Sequence, residues 1–163
     1  MRNNSFSLAL IVCAFIVPII CIVRGIAFNQ NCGGYLEQAA NANSVELALE
    51  RLNLAIDYVE TNDMTDGYTS VLWKTESDNV GYWYCNLKTC QQELESCLNS
   101  SQLEKTNVLL KVRESLTDIS EHGTELTTPN GISRFPNNAV FGILNWVSLL
   151  MFIIGCCIYD RYW

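Results

Sequence analysis

Residues 139–159 read AVFGILNWVSLLMFIIGCCIY, 21 residues without a charge. A helix rises about 1.5 Å per residue and the hydrocarbon core of a bilayer is about 30 Å thick, so this run is long enough to cross a membrane. Its main polar groups are Asn145 and Ser148. In lipid, such side chains gain most from a hydrogen-bonding neighbour, and both are assigned to an intramembrane helix contact. Gly142 and Gly155 would let that neighbour approach.

At the other end, residues 6–23 (FSLALIVCAFIVPIICIV) form a second charge-free run, of 18 residues. Arg2 before it and the small Gly25 and Ala27 after it also fit a secretory signal peptide, but Arg24 sits poorly beside a cleavage site, and the reading is an uncleaved signal anchor. Pro18 removes one backbone donor and should kink this helix near its outer end.

The charges lie between the two runs. From Ala27 to Pro136 there are 16 Asp or Glu against 7 Lys or Arg, a net charge of −9. An acidic middle repels phosphate backbones, which excludes nucleic acid as a partner. Three segments follow: 1–28, the N-terminal membrane span; 29–136, a helical soluble domain with room for one core; and 137–163, the C-terminal membrane span and a short tail. Arg2 and Arg161 on one side balance Arg24 and Arg134 on the other, so basic residues do not orient the spans. The signal-like N-terminus and an acidic loop too long for the charge rule place both termini in the cytoplasm and the middle outside.

Within the middle, Val45, Ala48, Leu49, Leu52, Ala55, Ile56 and Val59 form one apolar stripe over a helix from Ser44 to Thr61, opened by Asn43 with Glu46 three residues on. A short helical turn over 34–42 precedes it. Trp83, Leu87, Cys90, Leu94 and Cys97 repeat the spacing from about Val80, and Leu109, Val112, Leu116 and Ile119 continue it after Ser101 and Glu104, a second capping pair. These are one bent helix or two meeting near Asn99. Residues 62–79 and 121–138 read as connections. The expected fold class is all-α: two transmembrane helices flanking an antiparallel helical hairpin or small bundle, without strands.

Chemistry-bearing patterns are few. There is no His-Glu-x-x-His, no Gly-x-Ser-x-Gly, no glycine-rich phosphate loop and no Cys-x-x-Cys, so neither catalytic residues, metal ligands nor a cofactor are expected, and the chain does not read as an enzyme. His122, the single histidine, reads as an exposed loop residue, and Asp63 with Asp66 as solvated loop charges. Cys90 and Cys97, about 10 Å apart on one helix, cannot bridge, whereas Cys32 could pair with Cys85 or Cys97 if the helix ends meet. Cys156 and Cys157 are juxtamembrane acylation candidates, more simply the end of a span. Asn99-Ser-Ser is a glycosylation acceptor pattern on a stretch read as helical. The aromatic group Tyr68, Trp73, Tyr82, Trp83 and Tyr84, beside acidic residues, is the candidate partner or ligand contact, placed at the membrane-distal end of the hairpin.

The order of span, helical hairpin and span resembles the ligand-binding half of bacterial chemoreceptors and sensor kinases. That resemblance implies ligand recognition outside the membrane. The chain departs from it after the second span, where only Asp160 to Trp163 follow, so a signal would leave through another protein. The expected function is a non-enzymatic accessory or assembly subunit whose spans pack in membrane lipid beside a membrane-protein partner or further copies. The alternatives are a small-ligand or cation-binding ectodomain acting through a partner, and a self-associating pore.

Overall fold

The structure, a computed structural model, describes residues 2–120 and 123–161, with side chains for 5–118 and 123–160. Helix α1 (Arg2–Ala14) and helix α2 (Ile16–Phe28) meet at Phe15, four residues before the Ile19 N–H that bonds its carbonyl. The interruption falls where Pro18 has no N–H to offer the carbonyl of Ala14. Past Phe28 the helix does not stop. It passes through one wide turn, Asn29–Gly33, into α3 (Gly34–Ala40). The expected boundary at 28/29 is therefore not a break: one helical run from Ser5 to Ala40 is both the first apolar helix and the first helix of the domain.

Helix α4 (Val45–Thr61) returns alongside it, with the Phe28 and Tyr58 rings edge to face at 6.1 Å. Its N-cap is Ser44, whose hydroxyl accepts the Leu47 N–H at 3.2 Å, one residue later than the Asn43 expected from the sequence. Residues 62–79 lead to α5 (Val80–Ser96), antiparallel to α4, with Gln91 Nε2 donating to Asn53 Oδ1 at 2.7 Å. A turn near Asn99 separates α5 from α6 (Gln102–Leu116), where Ser101 and Glu104 form the expected reciprocal cap. Leu36, Val45, Leu52, Val59, Val80, Leu87, Leu94 and Val112 are among the residues that fill the core between α3, α4, α5 and α6.

One feature departs from an all-α chain. Helix α6 ends at Leu116, and β1 (Thr117–Ser120) pairs antiparallel with β2 (Gly123–Leu126). Ile119, expected on the α6 stripe, belongs to β1: the stretch Thr117, Ile119 on β1 and Thr124 on β2 carries β-branched residues that suit a strand better than a helix. His122 lies outside the described residues.

Helix α7 (Asn138–Arg161) packs antiparallel on α1 and α2. The contacts run in opposite order along the two: Ser7 with Gly155, Phe15 with Phe152 at 5.8 Å between ring centroids, Cys21 with Asn145, and Arg24 over the Phe141 ring at 5.3 Å. Gly155 is required for this approach, since a Cβ there would stand 2.8 Å from Ile11 Cγ1 and 3.3 Å from the Ser7 carbonyl oxygen. Both this helix and the run from Ser5 are long and apolar enough to cross a membrane.

Candidate functional site

The parity of the helices decides where the aromatic residues lie. Because the first helix continues to Ala40, α4 descends toward the apolar pair, α5 ascends and α6 descends again. The ion pair of Glu46 with Lys105 at 2.9 Å, joining the first turns of α4 and α6, marks the far end. The connection 62–79 therefore lies at the near end, beside the start of α7. Gly67, at φ 104°, sits so close to Phe135 that a Cβ would come within 3.3 Å of its ring. The carbonyls of Ser133 and Phe135 in turn accept from the Arg24 guanidinium at 3.0 and 3.4 Å. The membrane-distal placement expected for Tyr68, Trp73, Tyr82, Trp83 and Tyr84 is reversed: they cluster at the end of the domain from which the apolar helices leave.

These five residues do not form one surface. Trp83 and Tyr82 line a cleft of about 300 Å³ between the start of α5, the end of α6 and residues 127–129. That segment is pinned to α6: the Thr127 N–H donates to the Leu116 carbonyl at 2.9 Å, and its hydroxyl to the Ser115 carbonyl at 2.8 Å. These bonds satisfy carbonyls that a helix end leaves open. Asn79 caps α5 by accepting the Tyr82 N–H at 3.0 Å, which sets the register of the cleft's aromatic wall. The rest of the lining mixes polar Glu76, Asn86, Ser115 and Thr128 with apolar Leu87, Leu116 and Pro129. Trp83 is only 6% exposed, and its indole Nε1 is buried without an acceptor. Burying such a donor unpaired costs roughly 1–3 kcal/mol.

Tyr84 faces α4 instead. Its hydroxyl donates to Glu60 at 2.6 Å, with Lys88 3.5 Å from the same carboxylate. That bond holds Glu60 below the usual carboxylate range and pushes the Tyr84 phenol up to about 12. Trp73 and its neighbours Val71 and Leu72 project from the connection, and Lys74 stands 4.9 Å from the centre of the Tyr68 ring.

The cysteines stay apart. All eight are free. The bridge considered for Cys32 with Cys85 or Cys97 is not formed, because Cys32 packs inward 3.9 Å from the Ala55 carbonyl, Cys85 faces outward from α5, and Cys97 caps the far end of α5. Burial pushes the Cys90 thiol up, which makes it a poor nucleophile. Asp66 accepts the Gly67 N–H at 2.7 Å, while Asp63 adopts φ 55° at the end of α4. Among the described residues, no three His, Cys, Asp or Glu gather as a metal site.

Asn145 and Ser148 lie on the face of α7 that meets the first helix. The Asn145 amide donates to the Phe141 carbonyl at 2.9 Å and lies 3.8 Å from Cys21 Sγ; Ser148 is buried. The residue that sequence reasoning missed is Arg24, whose bonds to the segment leading into α7 tie the two apolar helices to the domain. Its isolation as the single charge between two long uncharged stretches, from Phe6 to Glu37, was the available signal. Comparison with protein-family models, curated proteins and solved structures gives no match, which leaves the geometry as the ground for a functional reading.

Proposed function

We propose that the chain is a two-span membrane protein whose helical domain binds a small polar ligand in the cleft beside Trp83 and passes that state to a partner without chemistry of its own. One observation carries this reading: Trp83, whose buried indole N–H has no acceptor, stands in the wall of a cleft that mixes apolar and polar side chains. Ligand sites commonly combine an apolar wall with a few directed polar groups, and about 300 Å³ is the lower end of their range. The size fits a free amino acid or a monosaccharide. The acidic balance of the domain favours a neutral or cationic molecule over an anion. Because Nε1 is itself closed to water, the wall must part by a side-chain rotation for a ligand oxygen to reach it.

The test is thermal unfolding of the full chain in mild detergent against a panel of amino acids and monosaccharides. Anything that binds only the folded state raises its melting temperature. A rise seen with the wild type and lost in Trp83→Phe supports the reading, and no rise across the panel sinks it.

The accessory-subunit reading has a separate support. Leu103 and Leu110, seven residues apart on one face of α6, are 72% and 54% exposed at a surface that none of the described elements covers. Crosslinking in native membranes, followed by mass spectrometry, would recover a stoichiometric membrane protein if that face is an assembly contact. Recovery of the chain alone, or of its own oligomer, removes that reading and leaves ligand binding or a pore. In both readings the domain is extracytoplasmic and both termini are cytoplasmic.

A further inference from the structure

The cleft leaves unexplained a patch on the same end of the domain. Val71, Leu72 and Trp73 are consecutive and 57%, 78% and 78% exposed. Three large apolar side chains in a row are rarely left in water without a use. Their surroundings are those of a membrane interface: Trp73 ends the exposed run, Tyr68 stands at the root, and Lys74 follows Trp73 with its ammonium over the Tyr68 ring. Aromatic rings and lysine side chains share the property of placing an apolar body in acyl chains and a polar end among headgroups.

The root of the loop is firm. The Thr69 N–H donates to the Asp78 carbonyl and the Val80 N–H to the Gly67 carbonyl, both at 2.9 Å, so residues 70–77 leave the domain as a closed excursion. That root rests on Phe135, three positions before the long apolar helix α7, and Phe135 is bonded to Arg24 at the top of the charge-free run of the first helix. The loop thus starts at the level where both apolar helices leave the domain. Where they leave the domain, those helices keep apolar side chains outward, with Ile22, Val23, Val140 and Ile143 all more than half exposed.

We propose that Val71–Leu72–Trp73 inserts into the phospholipid interface of the same bilayer that the two spans cross, as a third contact holding the domain against the membrane. This rests on the membrane-spanning reading above. The loop's attachment through Gly67 to Phe135 and Arg24 fixes the domain's tilt relative to the spans, and keeps the nearby cleft close to the headgroup layer.

The experiment places photoreactive benzoylphenylalanine in the full chain at position 72, at 149, a half-exposed position of α7 in the groove beside Phe15 and Pro18, or at 103 at the far end of the domain. Each variant is reconstituted in phosphatidylcholine–phosphatidylglycerol vesicles, irradiated, and analysed for phospholipid adducts by mass spectrometry. Leu72 and Leu103 are both strongly exposed, so both replacements leave the core intact, and far-UV circular dichroism checks this. The expected result is adduct yield at 72 of the same order as at 149 and at least roughly tenfold above 103, as residence within the interfacial layer implies. Adducts at 149 without adducts at 72 overturn the loop's role and leave the spans in place. Crosslinks from 72 to a second protein chain also overturn it. Absence of adducts at 149 refutes the membrane-spanning reading, and the loop's role falls with it. Repeating the measurement at Trp73 separates a local distortion at 72 from lack of insertion.

Discussion

Tyr84 and Glu60 show how one bond between two helices acquires a pH dependence. The phenol's folded value lies above its ordinary one, so its contribution is complete below pH 10 and is lost as pH rises from 10 through about 12. The folded value of Glu60 is depressed, so its contribution is present above the ordinary carboxylate range and is lost as pH falls through the lowered value. Urea unfolding of Tyr84→Phe and wild type should therefore differ by a constant amount near neutrality, and the difference should shrink between pH 10 and 12. A difference unchanged to pH 12 would mean that the Glu60 bond does not set the phenol's titration. Tyr84 was legible in the sequence as one of an aromatic group but not as the partner of Glu60, 24 positions earlier. Trp83 was legible as a core residue from its place on the α5 stripe. That its N–H would find no acceptor depends on how α6 and the 127–129 segment close around it, which spacing along one helix does not contain.

At the scale of elements, caps and close approaches carry separable contributions. Removing the side chain that caps α6, as Ser101→Ala, should cost about 1 kcal/mol in thermal or urea unfolding, and Ser44→Ala at α4 a similar amount. Asn43→Ala should cost much less, because Ser44 and not Asn43 accepts the helix N–H. Between the apolar helices, Gly155→Leu must displace Ile11 and the backbone of Ser7, an overpacking expected to cost about 1–3 kcal/mol. A Cβ at Gly142 would meet nothing within 4 Å, and Gly142→Leu should not destabilise. The midpoint of sodium dodecyl sulfate unfolding, followed by circular dichroism, separates the two. The helix stripes and the Ser101–Glu104 cap could be read directly because their signals are local, set by neighbours three or four residues apart. The hairpin of β1 and β2 could not: four-residue strands show too little alternation to distinguish them from the end of a helix.

For the whole molecule, Arg24 is the residue on which the two apolar helices and the domain converge. Arg24→Leu leaves two part-buried carbonyls without a donor and should cost roughly 1–3 kcal/mol, read as faster proteolysis in the segment 127–137 with α4 and α5 still protected. Arg24→Lys keeps the charge but not the two-pronged geometry and should fall between. Orientation has its own reporter. Asn99 lies exposed in the turn between α5 and α6, not within a helix, so its Asn-Ser-Ser acceptor is sterically open at the far end of the domain. Synthesis in the presence of microsomes should yield a glycosylated chain, and Asn99→Gln should abolish the modification. A chain that stays unmodified in intact vesicles would place the domain on the cytoplasmic side.

The apolar runs at each end, the acidic middle and the helix stripes follow from composition and short-range periodicity, and these alone determined a helical chain with two membrane-length apolar segments. Which end of the domain holds the aromatic residues was decided only in three dimensions. Because the first helix runs on through Gly33 and Gly34 to Ala40 without a proline to stop it, it adds one more helix to the bundle, and that single addition reverses the direction of every helix after it. The same cause places the Trp83 cleft and the Val71–Trp73 loop beside the apolar helices. Neither position is encoded in the residues that form them; both are set by the continuity of a helix that ends more than 20 residues earlier.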